Sequence, residues 1–214
     1  MISIAPRTIV ITGCSSRLGQ AVAQLFARQG WNVVAATGGG PADATLAGLP
    51  AVVTAAVDPG DLGSVEAAVG AGVQRFGGIA GLVNVIGFGL ELAAPDNREI
   101  FAALDMTRAV LPHLRRRGGG VIVNVAPRSG YGLDAAPCPA VESLTERLEA
   151  ELAPLGVAVR RVDAAATTRD DADDALLGVA EGVYRSVVQP VPAWPAPAAR
   201  EPTAPLRPLG AGGE

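Results

Sequence analysis

The sequence predicts an α/β domain whose core is a doubly wound parallel sheet. Three observations carry that expectation. Short apolar runs rich in β-branched residues alternate with amphipathic helical stretches along most of the chain. The strand-like runs are apolar on both faces, as strands covered by helices on each side must be. The first of them, "TIVITG", passes directly into a glycine-bearing turn and a helix. That is the order in which a βαβ unit presents backbone amides to an anion. With right-handed crossovers, these features describe a Rossmann-like domain.

Taken in order, the predicted elements are a strand at 8–11, a helix at 19–29 and a strand at 32–36. A strand at 51–57 follows, then a helix at 62–76 with Leu62, Val65, Val69 and Val73 at helical spacing. Next come a strand at 82–86, a helix at 99–117, a strand at 121–125, a helix at 141–152 and a strand at 157–162. The sheet is therefore expected to hold about six or seven strands. The stretch "RDDADDALLGVAEGVYRSVV" allows one more amphipathic helix, its acidic start suited to the positive end of a helix dipole. Beyond it, "QPVPAWPAPAAREPTAPLRPLGAGGE" alternates Pro and Ala. Proline removes amide donors and fixes φ, so the expectation is a domain over 1–188 and an extended or disordered tail over 189–214. A proline-motif ligand for a partner domain is the alternative use of that tail.

A chain of 214 residues matches one domain with a sizeable core. Hydrophobic residues make up 49% and aromatics 4%, so that core must be built from Ala, Val, Leu and Ile. The net charge of -4 is spread along the chain without a basic stripe, which argues against nucleic acid as a partner. Cys14 and Cys138 have no metal-ligand spacing and suggest reduced thiols in a cytoplasmic protein. Every apolar run is broken before a membrane-spanning length, so no membrane partner is expected. All 17 basic residues are arginine; the chain has no lysine.

The turn after the first strand reads Thr12-Gly13-x-x-x-Arg17-x-Gly19. It resembles the TGxxxGxG turn of the short-chain dehydrogenase/reductase family, and further matches follow in that family's order. "AVVTAAVD" ends in Asp58, where the family places an acid that bonds the adenine amino group. "GLVNVIG" resembles the LVNNAG segment that supports the central sheet, with Asn84 and Gly87 retained. "TRAVLPHLRRRGGGVIVNVAPRSG" and "SLTERLEAELAPLGVAVRRV" resemble the segments that flank the family's catalytic residues. The resemblance spans residues 7–168 and implies a Rossmann-like NAD(P)-binding domain.

It also implies a binding set for the nicotinamide dinucleotide. Gly13, Ser15, Ser16, Arg17, Leu18 and Gly19 form the phosphate turn, with Asp58, Asn84 and Gly87 further along the chain. A side chain at Arg17 crowds the place where backbone approaches phosphate. Its guanidinium has the opposite option of pairing with a phosphate bidentately. Impaired rather than abolished binding is the expectation. The second strand ends "VVAATGGG" without an acid for a ribose 2′-hydroxyl, which favours NADP over NAD.

The family's reaction uses a tyrosine whose pKa is lowered by a lysine, a serine that polarises the same oxygen, and an asparagine that holds a water. A phenol needs such a cation to work near neutral pH. Aligned on the flanking motifs, this chain has Pro127 for the serine, Asp134 for the tyrosine, Cys138 for the lysine and Glu99 for the asparagine. Asp163 and Ala164 replace the usual proline and glycine, while Thr168 is kept. Without lysine, no register restores the Tyr-Lys pair. Tyr131, next to Arg128 and Ser129, is the one candidate for a substitute proton donor; arginine is a poor proton relay. His113 reads as a residue near a helix C-terminus.

Three functions remain open on the sequence. The first is a family member that keeps the fold and the nucleotide but has lost the chemistry. The second is an active NAD(P)-dependent oxidoreductase of small carbonyl or alcohol substrates with a non-standard donor. The third is an interaction module without cofactor. The resemblance also implies a homo-oligomer built through helices 99–117 and 141–152.

Overall fold

The computed structural model describes residues 7–38, 44–87, 97–127, 138–164 and 172–190. Within them lie the strands β1 (Thr8–Ile11), β2 (Asn32–Thr37), β3 (Val52–Ala56), β4 (Gly81–Val85), β5 (Gly120–Pro127) and β6 (Val157–Ala164). All pair in parallel, in the order β3-β2-β1-β4-β5-β6. The chain winds outward from β1 to β3, returns to place β4 beside β1, and winds outward again. The strand order therefore reverses between β1 and β4, where an open α/β sheet forms its ligand crevice.

The register explains why apolar strands were so readable. Val10 pairs with Val34 and Leu82, Leu82 with Ile122, and Ile122 with Val159. This aliphatic row faces one core layer, under α3 (Leu62–Phe76), α4 (Asn97–Arg116) and α5 (Pro139–Leu152). One residue along, Ile11 pairs with Ala35 and Val83, and Val83 with Val123. That row faces the opposite layer, under α1 (Arg17–Arg28) and α6 (Ala172–Val188). Small and β-branched side chains fill both layers, as the composition requires.

Aromatic residues are used sparingly, to dock the last helix. Phe26 of α1 meets Trp31 edge-on at 5.5 Å and Tyr184 of α6 at 5.2 Å, a geometry favoured by ring quadrupoles. Arg160 of β6 fastens the end of α6 by donating to the carbonyls of Ser186, Gln189 and Pro190. On the other layer Gly72 lets α3 lie close to the sheet; a Cβ there would stand 2.4 Å from Val34 Cγ2.

The predicted elements are present, with edges moved by capping and pairing. The α1 helix starts at Arg17 because Ser16 caps it. Asp61 caps α3, its carboxylate accepting from the Gly63 amide at 2.9 Å, and Gly77 ends it with φ +84°. The β5 strand runs on to Pro127 because β6 pairs with it along its whole length. The α4 helix continues through Pro112 despite the missing donor. A four-residue helix, α2 (Ala44–Ala47), and a 3₁₀ turn at Ala153–Leu155 were not anticipated; neither is long enough to show a period. Among the described residues no helix is long and apolar enough to cross a membrane. Of the tail predicted over 189–214, Gln189 and Pro190 are described, held by Arg160, and the rest lies outside the described residues.

Candidate functional site

The turn between β1 and α1 closes on itself through backbone contacts that only glycine permits. Gly13 has φ +69°, and a Cβ on it would lie 2.7 Å from the Val85 carbonyl oxygen. At Gly19 a Cβ would lie 2.2 Å from the Gly13 carbonyl oxygen. Ser16 holds the two together. Its hydroxyl donates to the Gly13 carbonyl at 2.8 Å and accepts from the Gly19 amide at 3.1 Å. Thr12 ties the turn to the far side of the crevice, its hydroxyl accepting from the Val85 amide at 3.2 Å. The predicted turn residues are thus assembled at the start of α1, where helix amides and dipole favour an anion.

Within this turn the side chains divide. Leu18 is buried, while Ser15 and Arg17 are exposed, Arg17 as the first residue of α1. Cys14 is sealed beneath, its thiol donating to the Ile11 carbonyl at 3.3 Å. Burial pushes the thiol up to about 12, against a smaller lowering from a backbone hydrogen bond at Ala36. Cys14 is therefore an inert core residue.

A cleft of about 660 Å³ opens beside the turn at the ends of β2 and β3, of a size suited to a small-molecule ligand. Gly38, Val57, Asp58 and Ser64 line it, with Arg98 and Glu99 from the first turn of α4. Asp58 is exposed there. One carboxylate oxygen accepts from the Gly60 amide at 2.9 Å. The Asp58 amide donates to the Ser64 hydroxyl at 3.0 Å. These bonds fix the turn at Asp58, which stands at the rim of the cleft. Arg98 and Ser64 were missed in the sequence. Each lies near a motif position, Ser64 after Asp58 and Arg98 beside Glu99, but only the turns that bring α3 and α4 to one edge show that they share a cleft.

Asn84 serves the sheet. It is fully buried, and its amide donates to the Asn124 side-chain oxygen at 3.0 Å. Asn124 donates in turn to the Thr145 hydroxyl at 3.0 Å, which donates to the Val141 carbonyl at 2.7 Å. This chain joins β4, β5 and α5 through otherwise apolar core. Gly87, with φ +78°, follows β4 at the crevice.

At the β5 side of the edge stand the positions aligned with proton transfer. Pro127 ends β5 opposite Ala164. Cys138 is buried at the N-cap of α5 and makes no side-chain cap bond. Asp163 lies 3.1 Å from Arg161, which also pairs with Glu142 at 2.8 Å; these groups make a structural ion cluster. Glu99 lines the cleft with Asp58 instead. Arg128, Ser129, Tyr131, Asp134 and Thr168 lie outside the described residues. His113, at the far end of α4, has Nδ1 2.8 Å from the Arg116 guanidinium. Desolvation, and then the Arg116 charge, hold its pKa below the ordinary value. Among the described residues no cluster of His, Cys, Asp and Glu suits a metal ion.

Comparison with known proteins follows the same outline. A family model described as short chain dehydrogenase matches residues 7–174. A 3-ketodihydrosphingosine reductase of Bacteroides thetaiotaomicron is 31% identical over 170 residues, 72% of this chain and 61% of that protein. The chain thus spans less than two thirds of that relative's length. An uncharacterized oxidoreductase of Staphylococcus saprophyticus is 30% identical over 187 residues, 76% of this chain and 79% of the relative. Among solved structures, a 3-ketoacyl-(acyl-carrier-protein) reductase of Brucella melitensis complexed with NADH superposes with a TM-score of 0.67 at 25% identity. That superposition covers 87% of this chain and 93% of the other.

Proposed function

This chain belongs to the short-chain dehydrogenase/reductase family, and from that premise we propose that it binds a nicotinamide dinucleotide without running the family's proton-transfer chemistry. The observation that carries the reading is the closed Gly13–Ser16–Gly19 turn beside a cleft lined by Asp58. The residues fit the group. The turn would hold the pyrophosphate at the start of α1, and Asp58 would accept from the adenine amino group. Arg17, exposed at the mouth, weakens that grip by crowding. The bare end of β2 favours NADP over NAD.

A bound nicotinamide supplies hydride transfer; the chain's own groups must then move the proton. Pro127 has no hydroxyl to polarise a carbonyl, and Cys138 is sealed in the core. With no lysine in the chain, nothing lowers a phenol's pKa as the family mechanism requires. Retention of the nucleotide turn beside loss of these groups supports binding, or nucleotide-dependent partner binding, over turnover. The outer faces of α4 and α5 are the surfaces assigned to self-association; Phe101 on α4 is 60% exposed.

Calorimetric titration with NADPH and NADH, followed by a panel of small ketones and quinones, tests the reading. Binding of a dinucleotide with no cofactor oxidation above background is expected. Robust turnover by the unmodified protein overturns it, and loss of that turnover in Tyr131→Phe would name the substitute donor.

A further inference from the structure

We infer that Arg98 selects for a phosphate on the adenosine ribose, so that α4, across the cleft, sets the choice of NADP over NAD. The inference rests on the nucleotide-binding reading above.

Gly38 lines the cleft at the end of β2, where this fold seats the adenosine ribose. A Cβ on Gly38 would meet nothing within 4 Å, so there is open room over the strand end. From β2 through Gly38 no side chain is acidic, so no carboxylate on that strand accepts from a free 2′-hydroxyl. Arg98 lines the same cleft, is exposed, and makes no hydrogen bond or ion pair among the described residues. Its guanidinium suits a phosphate because its planar donors meet two oxygens at once.

The other charged residues lining the cleft sharpen the argument. Asp58 and Glu99 are carboxylates, and Arg98 is the one cation among the described lining residues. Asp58 already accepts from the Gly60 amide, and Glu99 is likewise engaged. With Arg98 in place, the cleft holds a cation for a phosphate dianion. With Arg98 removed, only carboxylates remain, and they repel the same group. Removing Arg98 should therefore cost the phosphorylated cofactor much more than the unphosphorylated one.

The experiment is titration of NADPH and NADH into the full-length protein, Arg98→Ala and Arg98→Lys, at low and high salt. Arg98 is exposed, and the variants' melting temperatures report whether the fold is kept. For Arg98→Ala the expected result is a loss of about tenfold or more in NADPH affinity. NADH affinity should stay within about twofold, and Arg98→Lys should recover part of the loss. The wild-type advantage for NADPH should shrink with salt. Equal weakening of both cofactors would make Arg98 a general adenosine contact and overturn the assignment. Unchanged NADPH affinity in Arg98→Ala overturns it too, while leaving the nucleotide reading intact. If the wild type binds neither cofactor, the nucleotide reading falls and takes this inference with it.

Discussion

Where β1 and β4 part, each close backbone contact depends on a glycine, a capping serine and a threonine that are all in place. Where β5 meets α5, the sheet pairing is as complete, yet the side chains aligned with proton transfer are a proline and a buried cysteine. The difference teaches that the two requirements separate. Closing a tight turn is part of folding, so losing its glycines destabilises the domain. Presenting a hydroxyl or an amine to solvent is not, and β5, β6 and α5 pack without one at these positions.

The sharpest way to break this comparison is Gly19→Ala. Its Cβ would stand 2.2 Å from the Gly13 carbonyl oxygen, and forced overpacking against backbone costs about 3 kcal/mol. For a chain of this size that is a fall of about 6–12 °C in Tm, read by differential scanning calorimetry. An unchanged Tm would mean that the turn is free to open, and its glycines would then say nothing about folding.

A smaller effect is expected between the two regions. Asn124→Ala cuts the chain from Asn84 to Thr145 and leaves the Asn84 amide without its partner in apolar core. The expected cost is about 1–3 kcal/mol in urea unfolding. Thr145→Val removes one hydroxyl from the end of the same chain and should cost less.

At the β5 end, Pro127→Ser restores the aligned hydroxyl at little structural expense. Its cost should be about 1 kcal/mol or less, mostly through greater freedom of the unfolded chain. Cofactor oxidation should stay at background, because groups that act as a unit do not return activity one at a time. Measurable turnover from this single change would show that the β5 edge keeps more of its chemistry than its residues suggest.

The smallest effect concerns His113, remote from both regions. Its folded pKa lies below the ordinary 6.5 through desolvation and Arg116, so below that pH the unfolded chain takes up the proton more readily. The contribution of neutral His113 is present above 6.5 and lost as pH falls through the folded value. Tm should therefore drop less between neutral and mildly acidic pH in His113→Gln than in the wild type.

Much of this was legible in the chain. Val10, Leu82 and Ile122 belong to runs too apolar to face water on either side, so a parallel sheet under two helical layers was readable. Gly13 and Gly19 were readable because strand, turn and helix come in order. The place of Arg98 was not, since its neighbour Glu99 aligns with a motif position but nothing in the chain brings Arg98 to Asp58 and Gly38. Nor was the partner of Asn84, because Asn124 lies forty positions away in sequence.

By itself the sequence determined the layers, the turn and the absence of lysine, because period, glycine spacing and residue count are local properties of a chain. Only the tertiary structure decided that Cys14 and Cys138 are sealed, that Asn84 bonds Asn124, and that Arg98 shares a cleft with Asp58. Those are facts about which distant segments meet. Crossover connections and sheet register set them by bringing the N-termini of α3 and α4 to one edge, and no periodicity along the chain encodes that.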